Sequence, residues 1–364
     1  MGVISFARGV PAPECLPVAE FADCAREVIE RDGEAVLNYG PVGGYGPLRE
    51  WIAERHGVEP GRVLVTNGSL PGLNLVLGHF APRGRVLVEA PTYDRPLKIA
   101  ARLGVDVHPI PQDDAGIDVD ALEQELSRDA SPAFLYVLPT FQNPSGRTLP
   151  LERRRRLVEL TREHDLWLLE DDPYGRVRFD GEELPTLFEL EGGERVLYSS
   201  SFSKIVAPGV RVGYFVLPAT VAGSFESAAV NIYLTPALVG QATVYEFIRR
   251  GSLEPNIERV SALLKARRDA MLEALESELP DVRSSRPEGG YFLWIDLPET
   301  VDAAELLGRA EAAGVTFVPG ADFFPAGSGL GRNSMRLAFS FVSRDEVREG
   351  VSRLAGLLAP VPAV

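Results

Sequence analysis

Lysine is scarce in this 364-residue chain, and two of its three copies, Lys98 in RPLKIAARLG and Lys265 in SALLKARRDAM, fall in amphipathic helical patterns that explain them as solvated stems. The third, Lys204, stands in YSSSFSKIVAPGVRVGY, three residues after Ser201 and seven before Arg211. An amine flanked by a hydroxyl and a guanidinium can form an imine with a carbonyl compound while an anion is held beside it. Other chemically able residues recur just after short apolar runs. LWLLE is followed by Asp171, Asp172, Pro173 and Tyr174; AFLYVL by PTFQNPSGR, with Asn143; RVLVT by NGSLPG, with Ser69 and Leu70; RVLVEA by PTYDRP, with Tyr93. Each has an ordinary reading beside the chemical one. A strand-end aspartate can be a turn or capping residue, Asn143-Pro144 and Gly146 can make a turn, and NGSLPG can be a capped helix start as well as a phosphate cradle.

What unites these stretches is their place in the chain. From about residue 46 to 215, helical patterns alternate with short β-branched runs such as RVLVT, RVLVEA, AFLYVLP and LWLLEDD. Continuous apolar strands separated by helices predict an α/β fold with a mostly parallel sheet covered on both faces. Ligands of such sheets bind beyond the carboxyl ends of the strands, where all these residues fall. After Val244 the pattern changes to long helices and then to a smaller α+β segment containing GGYFLWIDL and SMRLAFS. The expected division is an N-terminal segment at 1–38, a large domain at 39–250 and a small domain at 251–364, the final APVPAV being expected to fray.

Composition narrows the function. With 52 acidic against 37 basic residues, the net charge of −15 argues against nucleic acid or an anionic membrane as partner. The four arginines of LERRRRLVEL are expected on a solvated helix face. Two cysteines nine residues apart and four dispersed histidines suggest neither a metal site nor a disulfide framework. No apolar run spans a bilayer, and the first residues lack a secretory signal's apolar stretch, so a cytoplasmic protein is expected.

An anion cradle, an aromatic ring, an amide, a carboxylate and a lysine on one rim of one sheet are what pyridoxal phosphate requires. The lysine forms its Schiff base, the carboxylate keeps its ring nitrogen protonated, and the cradle takes its phosphate. On these residues the chain resembles the fold-type I aminotransferases, most closely the branch with 2-aminoadipate and kynurenine aminotransferases. Nine blocks carry the likeness in order: ISFARGVPAPECLP, YGPVGGYGPLR, TNGSLPGL, EAPTYDRPL, PTFQNPSGR, LEDDPYGRVRF, SSSFSKIVAPGVRVGY, RPEGGYFLWIDL and SMRLAFS.

The resemblance implies a role for each matching residue. Lys204 would carry the internal aldimine and move the proton in a ping-pong transamination from an L-amino acid to a 2-oxo acid. Asp171 would face the ring nitrogen, Asn143 and Tyr174 the ring's phenolic oxygen, and Tyr93 the ring face. Ser69, the Leu70 backbone, Ser201 and Arg211 would hold the phosphate, joined by Tyr39 from the partner subunit of a homodimer. Arg336, in SMRLAFS, would grip the substrate α-carboxylate.

Three departures from the family pattern bear on the substrate. Leu70 replaces a usual glutamine, Arg8 stands where glycine is usual, and the chain starts only a few residues before the first block, where relatives commonly carry a longer arm. Arg8 is expected either as a surface residue or as a contact to a second substrate carboxylate. Alternatives remain at this point. The same apparatus supports elimination, cyclisation or oxidation. Related domains serve as effector sensors of regulators, which need a winged-helix domain that finds no room here. Ser201-Phe202-Ser203-Lys204 also fits Ser-x-x-Lys hydrolases, but their Ser-Asp-Asn and Lys-Thr-Gly companions do not occur.

Overall fold

The computed structural model describes residues 2–128 and 132–358; the terminal APVPAV falls outside them. Along the first part run β1 (Ile4–Ser5), α1 (Val18–Val36), α2 (Gly46–His56), β2 (Val63–Thr66), α3 (Ser69–Phe80), β3 (Val86–Ala90), α4 (Asp94–Leu103), β4 (Val107–Asp113) and β5 (Gly116–Ile117). Then follow α5 (Val119–Arg128), β6 (Phe134–Val137), α6 (Leu151–Glu163), β7 (Leu168–Asp171), α7 (Leu187–Glu191), β8 (Val196–Ser201), β9 (Gly213–Val216), α8 (Ala219–Tyr233), α9 (Leu238–Arg249) and α10 (Leu253–Glu278). The remainder comprises β10 (Arg283–Ser284), β11 (Phe292–Asp296), α11 (Ala303–Ala312), β12 (Val315–Thr316), β13 (Val318–Pro319), β14 (Ser334–Ala338) and α12 (Arg344–Leu358).

The central sheet has the order β2-β9-β8-β7-β6-β3-β4-β5. Its strands from β8 through β4 pair in parallel, as the helix-separated apolar runs predict. Every residue of β2, β3, β6, β7 and β9 is buried, because helices cover both faces. Period-2 alternation sorts the side chains: Leu87, Leu135, Val137, Leu168 and Val196 enter one core, and Val86, Val88, Phe134, Tyr136, Leu169 and Leu197 the other. β4 lies on one side of β3 and β6 on the other, a reversal that opens a crevice beyond the strand ends.

One connection departs from the alternating rhythm. β9 runs antiparallel to β8, with Ser201 opposite Gly213, so the Lys204 segment closes a hairpin and does not lead into a helix. A single 3₁₀ turn, Pro208–Val210, interrupts it and ends on Arg211 with a left-handed φ of 53°.

The smaller domain holds an antiparallel sheet, β10-β11-β14-β13, with Arg336 in β14 paired to Trp294 and Val318. At the N-terminus β1 pairs in parallel with β12 of this domain, whereas α1 packs against α9, with Arg31 bonded to Glu246 and Arg249 to Glu27. No helix among the described residues is long and apolar enough to cross a membrane.

The arginine run corrects an expectation. Arg155 is exposed and pairs with Glu152, but Arg154 is fully buried. Its guanidinium bonds the carbonyls of Leu149 (2.9 Å), Pro185 (2.9 Å) and Pro139 (2.9 Å) and the Thr140 hydroxyl (2.7 Å). Four consecutive helical residues span all sides of the helix, so one of them had to meet the core. There it found both ends of the 139–149 loop, whose carbonyls no strand or helix satisfies.

Candidate active site

Beyond the strand ends lies a cavity of about 200 Å³ whose lining includes Ser69, Leu70, Tyr93, Asn143, Asp171, Tyr174, Ser201, Lys204 and Arg211. These come from five separate stretches after β2, β3, β6, β7 and β8; parallel pairing brings the last four to one rim, and two antiparallel pairings through β9 turn β2 the same way. Arg336 joins from the small domain, its Nη1 donating to Asn143 Oδ1 at 2.9 Å. Tyr39 and Arg8 do not line the cavity of the single chain. Tyr39 is 77% exposed, and exposed Arg8 lays its guanidinium 4.8 Å from the centroid of the Phe341 ring.

At one end the α3 N-terminus meets Arg211. Gly68 caps the helix at φ 84° without a side-chain capping bond, leaving the first-turn N–H groups for an anion. A Cβ on Gly68 would collide with Arg211 Nη2, and one on Gly213 would come within 2.5 Å of Ser69 N. Only glycine at both places lets the guanidinium, the helix end and β9 converge. Ser201 Oγ adds an acceptor for the Ser203 N–H at 3.1 Å and lies 2.9 Å from Ser203 Oγ, which also faces the cavity. Arg211 bonds only the carbonyls of Pro208 and Asn67 and makes no ion pair among the described residues. The donors suit a phosphate.

Asp171 closes the other end. It is 7% exposed, its Oδ2 accepts the Tyr136 hydroxyl at 2.7 Å, and its Oδ1 has no hydrogen-bond partner. Burial pushes its pKa up to about 6, against the opposing hydroxyls of Tyr136 and, less strongly, Ser199. An orphaned oxygen on a carboxylate that lines the cavity fits a protonated ring nitrogen. Asp172 faces away: its Oδ2 accepts from Tyr198 at 3.0 Å and its Oδ1 from Gly175 N at 2.8 Å. The one-residue alternation of a strand decides which aspartate can serve.

Between these ends, Lys204 Nζ donates to the Gly9 carbonyl at 2.9 Å and stands 5.5 Å from the Tyr174 ring centroid. Removal from water, with Arg336 and Arg211 nearby, lowers its pKa to about 8, which raises the fraction of nucleophilic amine. Burial raises Tyr174 above the ordinary phenol range and Tyr93 to about 12, so both stay protonated donors. Arg336 is also depressed by burial, to about 10. Its Nη2 donates to the Ala7 carbonyl at 2.9 Å, and its buried Nε has no partner. The N-terminal segment thus touches both cationic groups through backbone carbonyls.

Several contributors escaped the sequence reading. Tyr136 sits two residues before Leu138 in a strand that looks purely apolar, and only its polar hydroxyl hinted at more. Glu89 accepts the Leu138 N–H at 2.7 Å and the Gln142 amide at 3.1 Å, so it and Arg154 secure the loop carrying Asn143. A glutamate inside RVLVEA was the available signal.

The sequence matches the family described as aminotransferase class I and II over residues 3–354. It is 40% identical to the 2-aminoadipate transaminase of Thermus thermophilus, over 99% of this chain and 92% of that protein. It is 38% identical to aromatic-amino-acid aminotransferase 1 of Thermococcus litoralis, over 97% of this chain and 87% of that protein. Among solved structures, the Thermus thermophilus alpha-aminoadipate aminotransferase complexed with N-(5'-phosphopyridoxyl)-L-leucine superposes with a TM-score of 0.93 at 39% identity, covering 98% of this chain and 92% of that one. A cradle for a phosphate, a carboxylate for a ring nitrogen and a lysine between them accompany these likenesses over the whole length: the chain belongs to the class I and II aminotransferase family.

Proposed function

We propose that this aminotransferase uses pyridoxal phosphate held by Lys204 to move an amino group from an L-amino acid to a 2-oxo acid. The observation that carries the reading is one of charge: Lys204, Arg211 and Arg336 make no ion pair among the described residues, while Asp171 keeps Oδ1 free. A site with three such cations, in a chain of net charge −15, suits a ligand pair bearing a phosphate and a carboxylate. Bound there, the cofactor would supply an electrophilic carbon and a protonated ring that accepts electron density when a substrate Cα loses its proton.

The chain's own residues divide the remaining work. Ser69, the Leu70 backbone, Ser201 and Arg211 would hold the phosphate. Asp171 would serve the ring nitrogen, Tyr93 the ring face, and Asn143 and Tyr174 the phenolic oxygen. Lys204 would anchor the cofactor and, once its amine is free, take and return the Cα proton. Arg336 grips the α-carboxylate with its unpartnered Nε and one Nη.

The same reading includes a homodimer in the cytoplasm, with domain limits 1–38, 39–250 and 251–364. Exposed apolar residues support the dimer. Leu37, Tyr39, Leu70, Ile232 and Leu234 leave large areas open, and the segments are adjacent because Gly40 packs on Leu238 and Ala237 N donates to Asn67 Oδ1. Arg8 is assigned to a second substrate carboxylate. Its neighbours Ala7 and Gly9 touch Arg336 and Lys204, and its guanidinium makes no ion pair among the described residues.

The test is incubation of the loaded protein with single amino acids and 2-oxoglutarate or pyruvate. Stoichiometric conversion of the oxo acid to its amino acid is expected. Release of ammonia or peroxide without an acceptor would replace transamination with elimination or oxidation, and a fully active monomer would remove Tyr39 from the site.

A further inference from the structure

Asp171 needs an explanation beyond its position, because burial alone favours its neutral form, and a neutral acid cannot keep a ring nitrogen protonated. Tyr136 lies on β6 and Asp171 ends the adjacent parallel strand β7, with Tyr136 opposite Leu169. Side chains two apart share a face, so positions 136, 169 and 171 stand together on the face packed by α3. Tyr136 is 1% exposed, and its hydroxyl lies 2.7 Å from Asp171 Oδ2. The ring fills space beside Phe134 and Leu169 that a phenylalanine would fill equally, so packing does not call for the oxygen.

We propose that Tyr136 is a positioning residue for the cofactor: its hydroxyl anchors Asp171 Oδ2, so that Oδ1 faces the ring nitrogen and the carboxylate stays ionised. The inference rests on the pyridoxal phosphate reading above. A carboxylate held by one oxygen has lost its freedom to rotate, and the remaining oxygen then has a fixed direction. A phenol bonded to the charged form also favours that form. The phenol stays a donor throughout, since burial and the Asp171 charge both raise its own titration.

The experiment uses full-length wild type, Tyr136→Phe, Asp171→Asn and the double variant, each freed of cofactor and titrated with pyridoxal phosphate. Borohydride trapping and mass spectrometry locate the adduct. With ¹⁵N-labelled cofactor, the ring-nitrogen chemical shift reports its protonation. Loss of a hydrogen bond to a charged group is expected to weaken cofactor binding about 10- to 100-fold in Tyr136→Phe and to move the ¹⁵N shift toward the unprotonated ring. In the Asp171→Asn background the same change is expected to cost less than about 2-fold, because the group it acts through is gone. Unchanged affinity and shift in Tyr136→Phe would overturn the proposal, as would equal losses in both backgrounds, which would indicate packing. If Tyr136→Phe does not fold, 3-fluorotyrosine at position 136, a stronger donor, should tighten binding, and no tightening overturns the proposal. Wild type that traps no adduct on Lys204 defeats the cofactor reading itself, a result distinct from any outcome at Tyr136.

Discussion

Asp171 and Asp172 are neighbours in sequence and opposites in situation. Both are buried strand-end carboxylates, yet Asp172 has a partner for each oxygen and Asp171 leaves one without. Arg154 and Arg336 repeat the contrast: Arg154 bonds four acceptors, while Arg336 keeps a buried Nε unpaired beside the cavity. One member of each pair builds the fold, and the other holds a polar group in reserve for a ligand. An unmet buried polar group costs free energy, so its persistence marks the cavity as a place for something else. Glu170 shows how that cost is otherwise relieved. It too leaves Oε1 unpaired on the far face, but burial pushes it up to about 7, so it can take a proton.

The contrast breaks most sharply at Lys204. Lys204→Ala should lose the borohydride-trapped adduct and lower turnover by several orders of magnitude, on the order of 10⁴-fold or more, while thermal unfolding of the cofactor-free protein changes little. In wild type the amine must be neutral to attack. Adduct formation should therefore quicken about tenfold per pH unit as pH rises toward the lowered value of about 8 and level off above it, as read by stopped-flow absorbance.

Next comes the arginine pair. Arg336→Met should reduce kcat/KM on the order of 10²- to 10³-fold with the fold intact, because a carboxylate loses a desolvated charged partner. Arg154→Met should do the reverse. Urea denaturation should show a loss of about 3 kcal/mol, as three carbonyls and a hydroxyl lose their donor.

The smallest effects come from the aspartates and differ in sign. Asp171 has its folded pKa raised to about 6 from 3.8, so the folded state binds more protons between these values and loses stability as pH rises through them. Asp171→Asn should accordingly stabilise the cofactor-free protein by about 1 to 3 kcal/mol above pH 6, with the gain vanishing below about pH 4. Burial raises the Asp172 pKa too, but Asp172→Asn puts an amide NH₂ against the Gly175 N–H or the Tyr198 hydroxyl, a loss that outweighs the relief of a buried charge and should destabilise by about 1 kcal/mol. Equal signs in the two denaturation series would dissolve the distinction between the two residues.

Much of this site was legible in the chain. Strand–helix alternation announced the sheet, the location of polar residues after each apolar run announced the rim, and the blocks around Lys204, Asp171 and Arg336 announced the family. Arg154 was not legible, because a run of like charges gives no sign of which member faces inward. Tyr136 was hidden for another reason: inside a strand an aromatic counts as apolar until the partner of its oxygen is known. The hairpin carrying Lys204 was likewise read as one more strand end, since strand direction is set by pairing and not by composition.

By itself, the sequence determined the residue types, their order and the positions at which strands yield to turns, because these follow from local pattern and covalent spacing. The tertiary structure alone decided which groups finish paired. Whether a buried oxygen or nitrogen finds a partner depends on neighbours distant in the chain, such as Tyr136 for Asp171 and Asn143 for Arg336. In this protein that accounting separates the residues that hold the fold from those left free to hold a ligand.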